Sequence, residues 1–319
     1  MGLKLVFMGT ATFAVPSLSA LFQAGYTISG VITQPDKAGG RGRLLQSPPV
    51  KRRAYELQLP VYQPDSFKSP DARQLMEAFA PDLIVVVAYG KILPAWVLHY
   101  PKLGCINLHG SLLPKYRGAA PVQWAIAEGE ETTGVCTMRL DEGVDTGPVY
   151  LCEETAIRPD ETAPELYDRL AFMGAPLLVK TIEGIAEGRL EPKPQDNSQA
   201  TYAPVLKKAD GFINWLRPSR EIHNRVRAFN PWPGTVSRFR GKVCKILKTA
   251  LPAGDGPIEP EPGSVTVSKN GLLVTCGDGM ALEILLIQPE NRKAVSGLDF
   301  ANGARIRTGE KFQPVLDNS

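Results

Sequence analysis

The chain has 319 residues and a mass of 34.7 kDa; 43% of its residues are hydrophobic, 22% are charged, and the formal net charge is +3. This composition excludes a disordered protein, a coiled coil and a collagen-like chain. At about 150 residues per domain, the length predicts two domains with separate cores. No stretch of about 18 apolar residues is present, and no signal peptide is recognisable, so we expect no contact with a membrane.

Short apolar runs and amphipathic segments alternate through the first 189 residues. The run 83–88 (LIVVVA) is apolar throughout, as in a strand that is buried on both faces. Further strands are predicted at 3–8, 28–33, 105–108, 133–140 and 149–152, and helices from Pro16 onward and at 47–57, 69–79 and 162–186. This alternation predicts an α/β domain over 1–189, with a mostly parallel sheet between layers of helices.

The pattern changes after residue 189. Residues 190–206 are polar, contain three prolines and have no period, which is typical of a linker. Beyond them, a helix that begins at Ser219 precedes short strands separated by Gly and Pro, so 207–319 is predicted to form a small β-barrel or sandwich. Residues 205–319 carry 17 Lys and Arg against 11 Asp and Glu, a net +6, which slightly favours a polyanionic partner such as nucleic acid.

The five cysteines are widely spaced, and none forms a C-x-x-C pair. This spacing supports neither a zinc site nor a disulfide framework. We therefore expect buried, reduced thiols and a cytoplasmic protein.

Two of the chain's polar residues follow each other at strand spacing in a predicted buried strand. Asn107 and His109 alternate with Leu108, so both side chains should leave the same face of the strand. The carboxyl end of a parallel strand is the usual ligand position of an open α/β sheet. Spacing alone does not separate a functional pair from two structural residues.

His223 lies on the predicted helix that begins at Ser219, and we expect its side chain to be solvated there.

A carboxylate that could orient an imidazole is available in the loop 141–147 (DEGVDTG), and Asp145 is the candidate. Asp and Gly are also common in structural turns, so this assignment stays open at this point. The first strand-helix turn lacks G-x-G-x-x-G, and the chain contains neither a phosphate-binding loop motif nor a cluster of metal ligands, so no metal is expected.

The glycine-rich loop 34–46 (QPDKAGGRGRLLQ) carries three basic residues, Lys37, Arg41 and Arg43. One interpretation is a disordered surface loop. The other is an arm that follows a phosphate backbone, because basic side chains on a glycine-rich loop can adapt to a polyanion.

Several motifs together resemble the folate-dependent formyltransferases. They are NLHGSLLP at 107–114, YRGAAP at 116–121, DEGVDTG at 141–147, MGT at 8–10, TQPD at 33–36, VAYG at 87–90 and RAFNPWPG at 227–234. The resemblance implies a Rossmann-like formyltransferase domain followed by a smaller OB-fold-like β-barrel that binds tRNA. It also implies 10-formyltetrahydrofolate as the donor, the α-amino group of methionyl initiator tRNA as the acceptor, and a monomer.

The resemblance also assigns roles to residues. The family's catalytic Asn, His and Asp fall on Asn107, His109 and Asp145, and its folate contacts fall on Ser111, Leu112, Leu113 and Pro114. Its tRNA-entering loop falls on 34–46, so Lys37, Arg41 and Arg43 become tRNA-binding candidates. In this interpretation His109 accepts a proton from the attacking amine and Asn107 stabilises the oxyanion; a protonated His109 at the oxyanion is the alternative.

Rival functions remain within and outside the family. A formyltransferase for an amino sugar nucleotide, or a 10-formyltetrahydrofolate hydrolase, would use the same Asn, His and Asp. The arginine-bearing loop and the basic second domain favour tRNA over these, and a stand-alone formyltransferase of purine synthesis would not need that second domain. A non-catalytic RNA-binding protein is disfavoured because Asn107, His109 and Asp145 are all present.

Overall fold

The computed structural model describes residues 2–39, 44–252, 261–269 and 271–315. The chain divides into two compact units, and each is assembled from several stretches. The first comprises Met1–Pro121, Thr132–Ala156 and Leu166–Ala203; the second comprises Val122–Glu131, Ile157–Glu165 and Pro204–Ser319. The domain bounds 1–189 and 207–319 stay a prediction, although the contacts of residues 190–203 place this stretch with the first unit.

The elements up to residue 203 alternate as the sequence predicts. In chain order they are β1 (Lys4–Gly9), α1 (Ala14–Gln23), β2 (Thr27–Ile32), β3 (Lys37–Gly39), β4 (Leu44–Gln46), α2 (Pro49–Glu56), β5 (Val61–Tyr62), α3 (Pro70–Phe79), β6 (Leu83–Val87), α4 (Ala95–Leu98), β7 (Cys105–His109), β8 (Arg117–Gly118), α5 (Pro121–Ala127), β9 (Thr132–Arg139), β10 (Val149–Ala156), α6 (Ala163–Ala186) and β11 (Tyr202–Ala203).

A seven-stranded sheet organises the first unit, in the order β10-β9-β7-β6-β1-β2-β5. The strands from β7 to β5 pair in parallel, whereas β9 and β10 are antiparallel. Every residue of β6 and of β7 is buried, because helices and loops cover both faces and the apolar runs need no polar side. The predicted α/β fold is confirmed.

Helix α6 packs on one face of the sheet. Leu108 packs against Gly174 of α6, where a Cβ would lie 2.6 Å from its Cδ2 atom. Thr137 of β9, which pairs with Leu108, hydrogen-bonds Thr181 of the same helix at 2.8 Å. Because strand residues alternate, Asn107 and His109 project from the opposite face.

The polar stretch 190–203 makes ordered contacts within the first unit. β11 pairs in parallel with β8, and Lys193 forms a bridge with Val149 at the start of β10. Arg117 N–H donates to the Thr201 carbonyl at 2.9 Å, and Ala119 N–H donates to the Ala203 carbonyl at 2.9 Å. The sequence, which lacks any period here, predicted none of this pairing.

The second unit is organised around an antiparallel sheet, with helices beside it. Its further elements are α7 (Ser219–Phe229), β12 (Thr235–Phe239), β13 (Lys242–Ala250), β14 (Val265–Val267), β15 (Leu272–Thr275), β16 (Ala281–Pro289), β17 (Val295–Ser296), α8 (Gly297–Gly303) and β18 (Phe312–Gln313). The order is β14-β15-β16-β13-β12-β18, and β17 pairs with β16.

The two ends of this sheet meet, so that it nearly closes into a barrel. Val265 N–H donates to the Glu310 carbonyl at 2.7 Å, and Phe312 N–H donates to the Gly263 carbonyl at 2.9 Å. Residues such as Ile246, Leu272 and Ile287 are fully buried inside. The nearly closed antiparallel barrel confirms the predicted OB-fold-like second domain.

Across the described ranges, no helix combines the length and apolar character needed to cross a membrane.

Candidate active site

The first two candidate residues lie together at the carboxyl end of β7. Asn107 is 9% exposed and His109 is 6% exposed, and the two side chains share the sheet face that α6 leaves free. The alternation expected from the sequence is therefore present. Polar side chains that are this buried carry a desolvation cost of about 1–3 kcal/mol each unless they find partners.

Asp145 reaches His109 from the loop 140–148, which joins β9 to β10. Its Oδ2 lies 3.6 Å from His109 Nδ1 and accepts a hydrogen bond from Gly118 N–H at 2.8 Å. The backbone of Asp145 is left-handed, with φ of 53°, a conformation that Asp tolerates better than most residues. The structure thus brings Asn107, His109 and Asp145 into one unit and places the last two in contact.

The other ring nitrogen of His109 faces a backbone carbonyl. Nε2 lies 2.9 Å from the Tyr116 oxygen. Since a carbonyl only accepts hydrogen bonds, Nε2 carries the proton in this arrangement. In the neutral ring Nδ1 is then the unprotonated nitrogen, and it is the atom that faces Asp145. A proton taken up at Nδ1 would be stabilised by that carboxylate.

The Asn107 side chain is available for a ligand. Within the described ranges its amide group has no hydrogen-bond partner in the protein. Asn107 lies two residues before His109 on the same strand, so the two side chains are neighbours on one face of the sheet. A primary amide offers two N–H donors and one acceptor, which suits an oxygen that gains negative charge.

Two residues that support the site carry no recognisable signal in the sequence. Thr201 accepts from Arg117 N–H through its carbonyl, and its Oγ1 accepts from Tyr116 N–H at 2.9 Å, so it fixes the carbonyl that holds His109. Gln195 donates to the carbonyls of Asp145 and Gly147. Both lie in the polar stretch 190–206, and no sequence signal distinguished them there from a linker.

The segment 111–114 follows His109 directly. Ser111 is fully buried, and its hydroxyl donates to the Lys115 carbonyl at 2.6 Å. Leu112 packs on β9, where a Cβ on Gly134 would lie 2.6 Å from its Cδ2 atom. Leu113 and Pro114 are half-buried. The folate contacts expected at Ser111, Leu112, Leu113 and Pro114 stay a prediction.

A cavity of about 750 Å³ adjoins the loop that carries Asp145. Leu140, Asp141 and Pro148 of this loop form one wall, and Leu98 and Gly104 contribute to the others. Cavities of about 300–1,000 Å³ are the usual size for small-molecule sites. One loop therefore bounds a ligand-sized cavity and also positions a candidate catalytic carboxylate.

Of the expected tRNA-binding residues, only Lys37 belongs to the described part of the chain; Arg41 and Arg43 lie outside it. Lys37 is exposed, and its ammonium group donates to Gln34 Oε1 at 2.8 Å. The neighbouring Asp36 is held by Lys51 at 2.8 Å and by Gln63 at 2.9 Å. The hydrogen bond from Lys51 lowers the pKa of the Asp36 carboxyl, so this end of the loop is anchored by a charged pair.

The expectation of five free thiols is wrong for one pair. Cys136 and Cys152 lie directly opposite each other on β9 and β10 and form a disulfide, with 4.2 Å between their Cα atoms. The sequence did not predict this, because the pairing of the two strands, and not the cysteine spacing, brings them together. Cys105, Cys244 and Cys276 are free and buried, and burial raises their thiol pKa values to about 12, 11 and 12.

The expectation for His223 is also wrong. It is 5% exposed, and its Nδ1 lies 2.9 Å from Thr249 Oγ1 of β13. Burial lowers the pKa of His223, and the nearby Arg227 guanidinium lowers it further. The helix face that looked solvated is covered within the second unit, where Arg227 donates to the Glu161 carbonyl at 2.9 Å.

In the part of the chain that the structure describes, no three His, Cys, Asp or Glu side chains come together as a metal site would require.

Comparison with known proteins places this chain in a family. The model of the formyl transferase family matches residues 3–182, and the model of the formyl transferase C-terminal domain matches 205–305. A methionyl-tRNA formyltransferase from Acidobacterium capsulatum is 49% identical over 94% of this chain and 96% of its own length. One from Solibacter usitatus is 48% identical over 97% of this chain and 98% of its own length.

The fold is shared with more distant solved structures. An N-formyltransferase from Helicobacter canadensis, in complex with folinic acid and dTDP-3-aminofucose, superposes with a TM-score of 0.68 at 22% identity. That match covers 91% of this chain and 100% of the other chain, and it concerns the fold alone. The two family models, and the relatives that are 48–49% identical over nearly the whole chain, lead to one conclusion: the chain belongs to the formyltransferase family, among the methionyl-tRNA formyltransferases.

Proposed function

We propose that this chain transfers the formyl group of 10-formyltetrahydrofolate to the α-amino group of methionyl initiator tRNA. The observation that carries the proposal is the 49% identity, over 94% of the chain, to a protein named methionyl-tRNA formyltransferase. The proposal is supported by the contact between His109 and Asp145 and by the neighbouring Asn107 amide, which has no hydrogen-bond partner in the described part of the chain.

In this mechanism His109 and Asp145 handle the proton. An α-amino group has a reference pKa of about 7.7–8.0, so much of it is protonated at neutral pH, and only the neutral amine attacks carbon. His109 Nδ1 accepts a proton from the attacking amine, directly or through water, while Nε2 stays bonded to the Tyr116 carbonyl. The resulting imidazolium faces the Asp145 carboxylate, 3.6 Å away.

Asn107 serves the other charge. As the amine attacks, the formyl oxygen gains negative charge, and an N–H donor placed there is typically worth about 3–4 kcal/mol. The Asn107 amide is the donor in this proposal; a protonated His109 at the oxyanion is the alternative. The oxyanion then collapses to the new amide carbonyl, the bond from the formyl carbon to N10 of the folate breaks, and N10 takes up the proton that His109 removed from the amine. The amine attacks the formyl carbon directly, so no covalent enzyme intermediate forms.

We propose two contact regions for the folate. Ser111, Leu112, Leu113 and Pro114 follow His109, and the half-buried Leu113 and Pro114 offer an apolar surface next to the reacting atoms. The cavity of about 750 Å³ is bounded by the loop that carries Asp145, and its size suits the ring system of the folate.

A binding titration with 5-formyltetrahydrofolate tests these two regions. Leu140→Trp, which fills the cavity, should weaken binding, and Leu113→Ala should weaken it less. Unchanged binding by both variants would place the folate elsewhere.

The acceptor is proposed to be bound through phosphate contacts. Lys37 is exposed, Arg41 and Arg43 are close to it in sequence, and residues 205–319 carry a net charge of +6. Electrostatic binding of a polyanion is sensitive to salt, so the KM for tRNA should rise steeply with ionic strength. Arg41→Ala should raise that KM and leave the KM for the folate unchanged.

We further propose that the chain acts in the cytoplasm and as a monomer. Its proposed substrate is an aminoacylated tRNA, and the family resemblance implies a single chain. Sedimentation at micromolar concentration tests the second point, and a species of twice 34.7 kDa would contradict it.

The deciding experiment is formyl transfer from 10-formyltetrahydrofolate to methionyl initiator tRNA, beside uncharged tRNA and an amino sugar nucleotide. Formylmethionyl-tRNA as the only product supports the proposal. A formylated sugar would change the acceptor and keep the fold. Release of formate without transfer would indicate hydrolysis of the folate.

A further inference from the structure

The side chain of Gln195 joins the Asp145 loop to a buried guanidinium. Its Nε2 donates to the Asp145 carbonyl at 2.9 Å and to the Gly147 carbonyl at 2.7 Å. Its Oε1 accepts from Arg117 Nε at 3.0 Å and from Arg117 Nη2 at 2.8 Å. Guanidinium groups only donate and carbonyls only accept, so these partners leave a single orientation for the amide.

Arg117 is fixed independently of Gln195. It is 3% exposed, its backbone pairs with Thr201, and its Nη2 donates to Asn197 Oδ1 at 2.8 Å. The guanidinium therefore has a fixed position, and the hydrogen bonds of Gln195 hold the loop at a fixed distance from it. A charge-assisted hydrogen bond from Arg to an amide oxygen is stronger than one between neutral groups.

The Asp145 loop needs such support. The φ of 53° at Asp145 is a left-handed conformation that surrounding contacts must maintain in a residue other than Gly. Gly147 packs so closely on Arg139 that a Cβ would lie 1.8 Å from the Arg139 carbonyl oxygen. The carboxylate position thus depends on the backbone of 145–147, and Gln195 bonds both ends of this short stretch.

We propose that Gln195, held by Arg117, is a positioning residue for Asp145. This inference rests on the proposed function, because it concerns the carboxylate that would face His109 during formyl transfer. Gln195 touches neither substrate in this proposal. It keeps the Asp145 carboxylate next to Nδ1, so its loss should slow the chemical step and leave substrate binding intact.

The chain offers a matched pair of variants on the same guanidinium. Gln195→Glu keeps an oxygen acceptor for Arg117 and replaces the amide nitrogen, so both donors to the loop are lost. Asn197→Asp makes the same amide-to-carboxylate change beside Arg117, and within the described residues the Asn197 side chain makes no hydrogen bond to the loop. Asn197 is exposed and Gln195 half-buried, so both substitutions should be tolerated by the fold.

The experiment measures kcat, both KM values and the melting temperature for the wild type and the two variants, with methionyl initiator tRNA and 10-formyltetrahydrofolate. For Gln195→Glu we expect kcat to fall about 10- to 100-fold, the effect of a carboxylate displaced by about 1 Å, with both KM values unchanged. Asn197→Asp should keep the wild-type kcat.

The outcomes separate this inference from the function on which it rests. A wild type without transfer to tRNA overturns the proposed function itself. An active wild type with equal kcat values for the two variants overturns the positioning role, as does a loss confined to KM. Should Gln195→Glu fail to fold, Gln195→Ala carries the same comparison, since it removes both donors without adding a charge; wild-type kcat in that variant would also overturn the role.

Discussion

His109 and His223 are two buried histidines that differ in how their neighbouring carboxylate is held. Each imidazole lies 3.6 Å from a carboxylate oxygen, Asp145 in the first unit and Asp160 in the second. The Asp145 side chain is 16% exposed and accepts from Gly118 N–H, whereas the Asp160 side chain is 86% exposed. The hydrogen bond from Gly118 holds the Asp145 carboxylate beside its histidine. The Asp160 carboxylate is exposed, and solvent and salt screen its charge.

This difference indicates that a short distance between imidazole and carboxylate does not by itself identify a catalytic pair. His109 stands at the end of a parallel strand, on the sheet face opposite α6, next to an amide that has no hydrogen-bond partner among the described residues. His223 stands on a helix with Thr249 as a partner, and burial lowers its pKa and so disfavours the protonated form. We propose that the first arrangement moves a proton, whereas burial disfavours protonation of the second ring.

The largest expected effect follows from removing the first imidazole. His109→Ala should lower kcat about 10³-fold, within the range that a positioned general base contributes, and should also lower the melting temperature, because the ring is buried and bonded to the Tyr116 carbonyl. The matched change His223→Ala should leave kcat at the wild-type value and lower the melting temperature. Formyl transfer at saturating substrates measures the first quantity, and an unaffected kcat in His109→Ala would remove His109 from the mechanism.

Exchanging the two carboxylates for amides sharpens the comparison. Asp145→Asn should reduce kcat about 10²-fold, because the imidazolium loses its charged neighbour. Asp160→Asn should have no effect on kcat, since that carboxylate is exposed and faces a ring outside the proposed mechanism. Equal activities for the two variants would show that fixation of the carboxylate is irrelevant.

The two units differ in covalent cross-linking, which should affect their stability. The first unit contains the Cys136–Cys152 disulfide, whereas Cys244 and Cys276 of the second unit are free thiols. The bond spans a sequence separation of 16, and a loop of about 15 residues is worth about 3 kcal/mol in the chain-entropy account. Cys152→Ser should lower the free energy of unfolding by about that amount in urea. Reductant should destabilise the wild type and have no effect on the variant. A wild-type protein with five titratable thiols in denaturant alone would contradict the bond.

The smallest expected effect is the pH dependence caused by His223. Its pKa is lowered in the folded protein, so below the unfolded value of about 6.5 the unfolded chain binds more protons than the folded one. The free energy of unfolding of the second unit should therefore decrease as the pH falls from 7.5 to 5.5. His223→Gln should lower stability at pH 7.5 by about 1 kcal/mol, through the bond to Thr249, and should reduce this pH dependence. An unaltered pH dependence in the variant would contradict the burial effect.

Much of the fold was predictable because its signals are local. The apolar runs of β6 and β7 and the Pro at the start of α2 and α3 follow directly from residue types, and the structure has those elements at nearly the expected positions. The pairing of residues 190–203 was not predictable, since it rests on backbone hydrogen bonds between β8 and β11 that leave no periodicity in the sequence.

The candidate site divides in the same way. Asn107 and His109 were predictable from alternation within one strand, and Asp145 was a candidate from its loop. Gln195 and the Cys136–Cys152 bond depend on residues that are distant in the sequence and meet only through strand pairing. Long-range register of this kind is invisible to composition and spacing, which is why the sequence assigned Gln195 to a linker.

The pairing of β8 with β11 has a consequence for synthesis on the ribosome. All three candidate catalytic residues have been made by residue 145, but the partners of Tyr116, Arg117 and Asp145 are Gln195 and Thr201. A chain that has emerged only as far as residue 189 therefore has every reacting group and none of these supports. Nascent chains fold from the N-terminus, so the site becomes complete only when the segment after α6 has left the exit tunnel.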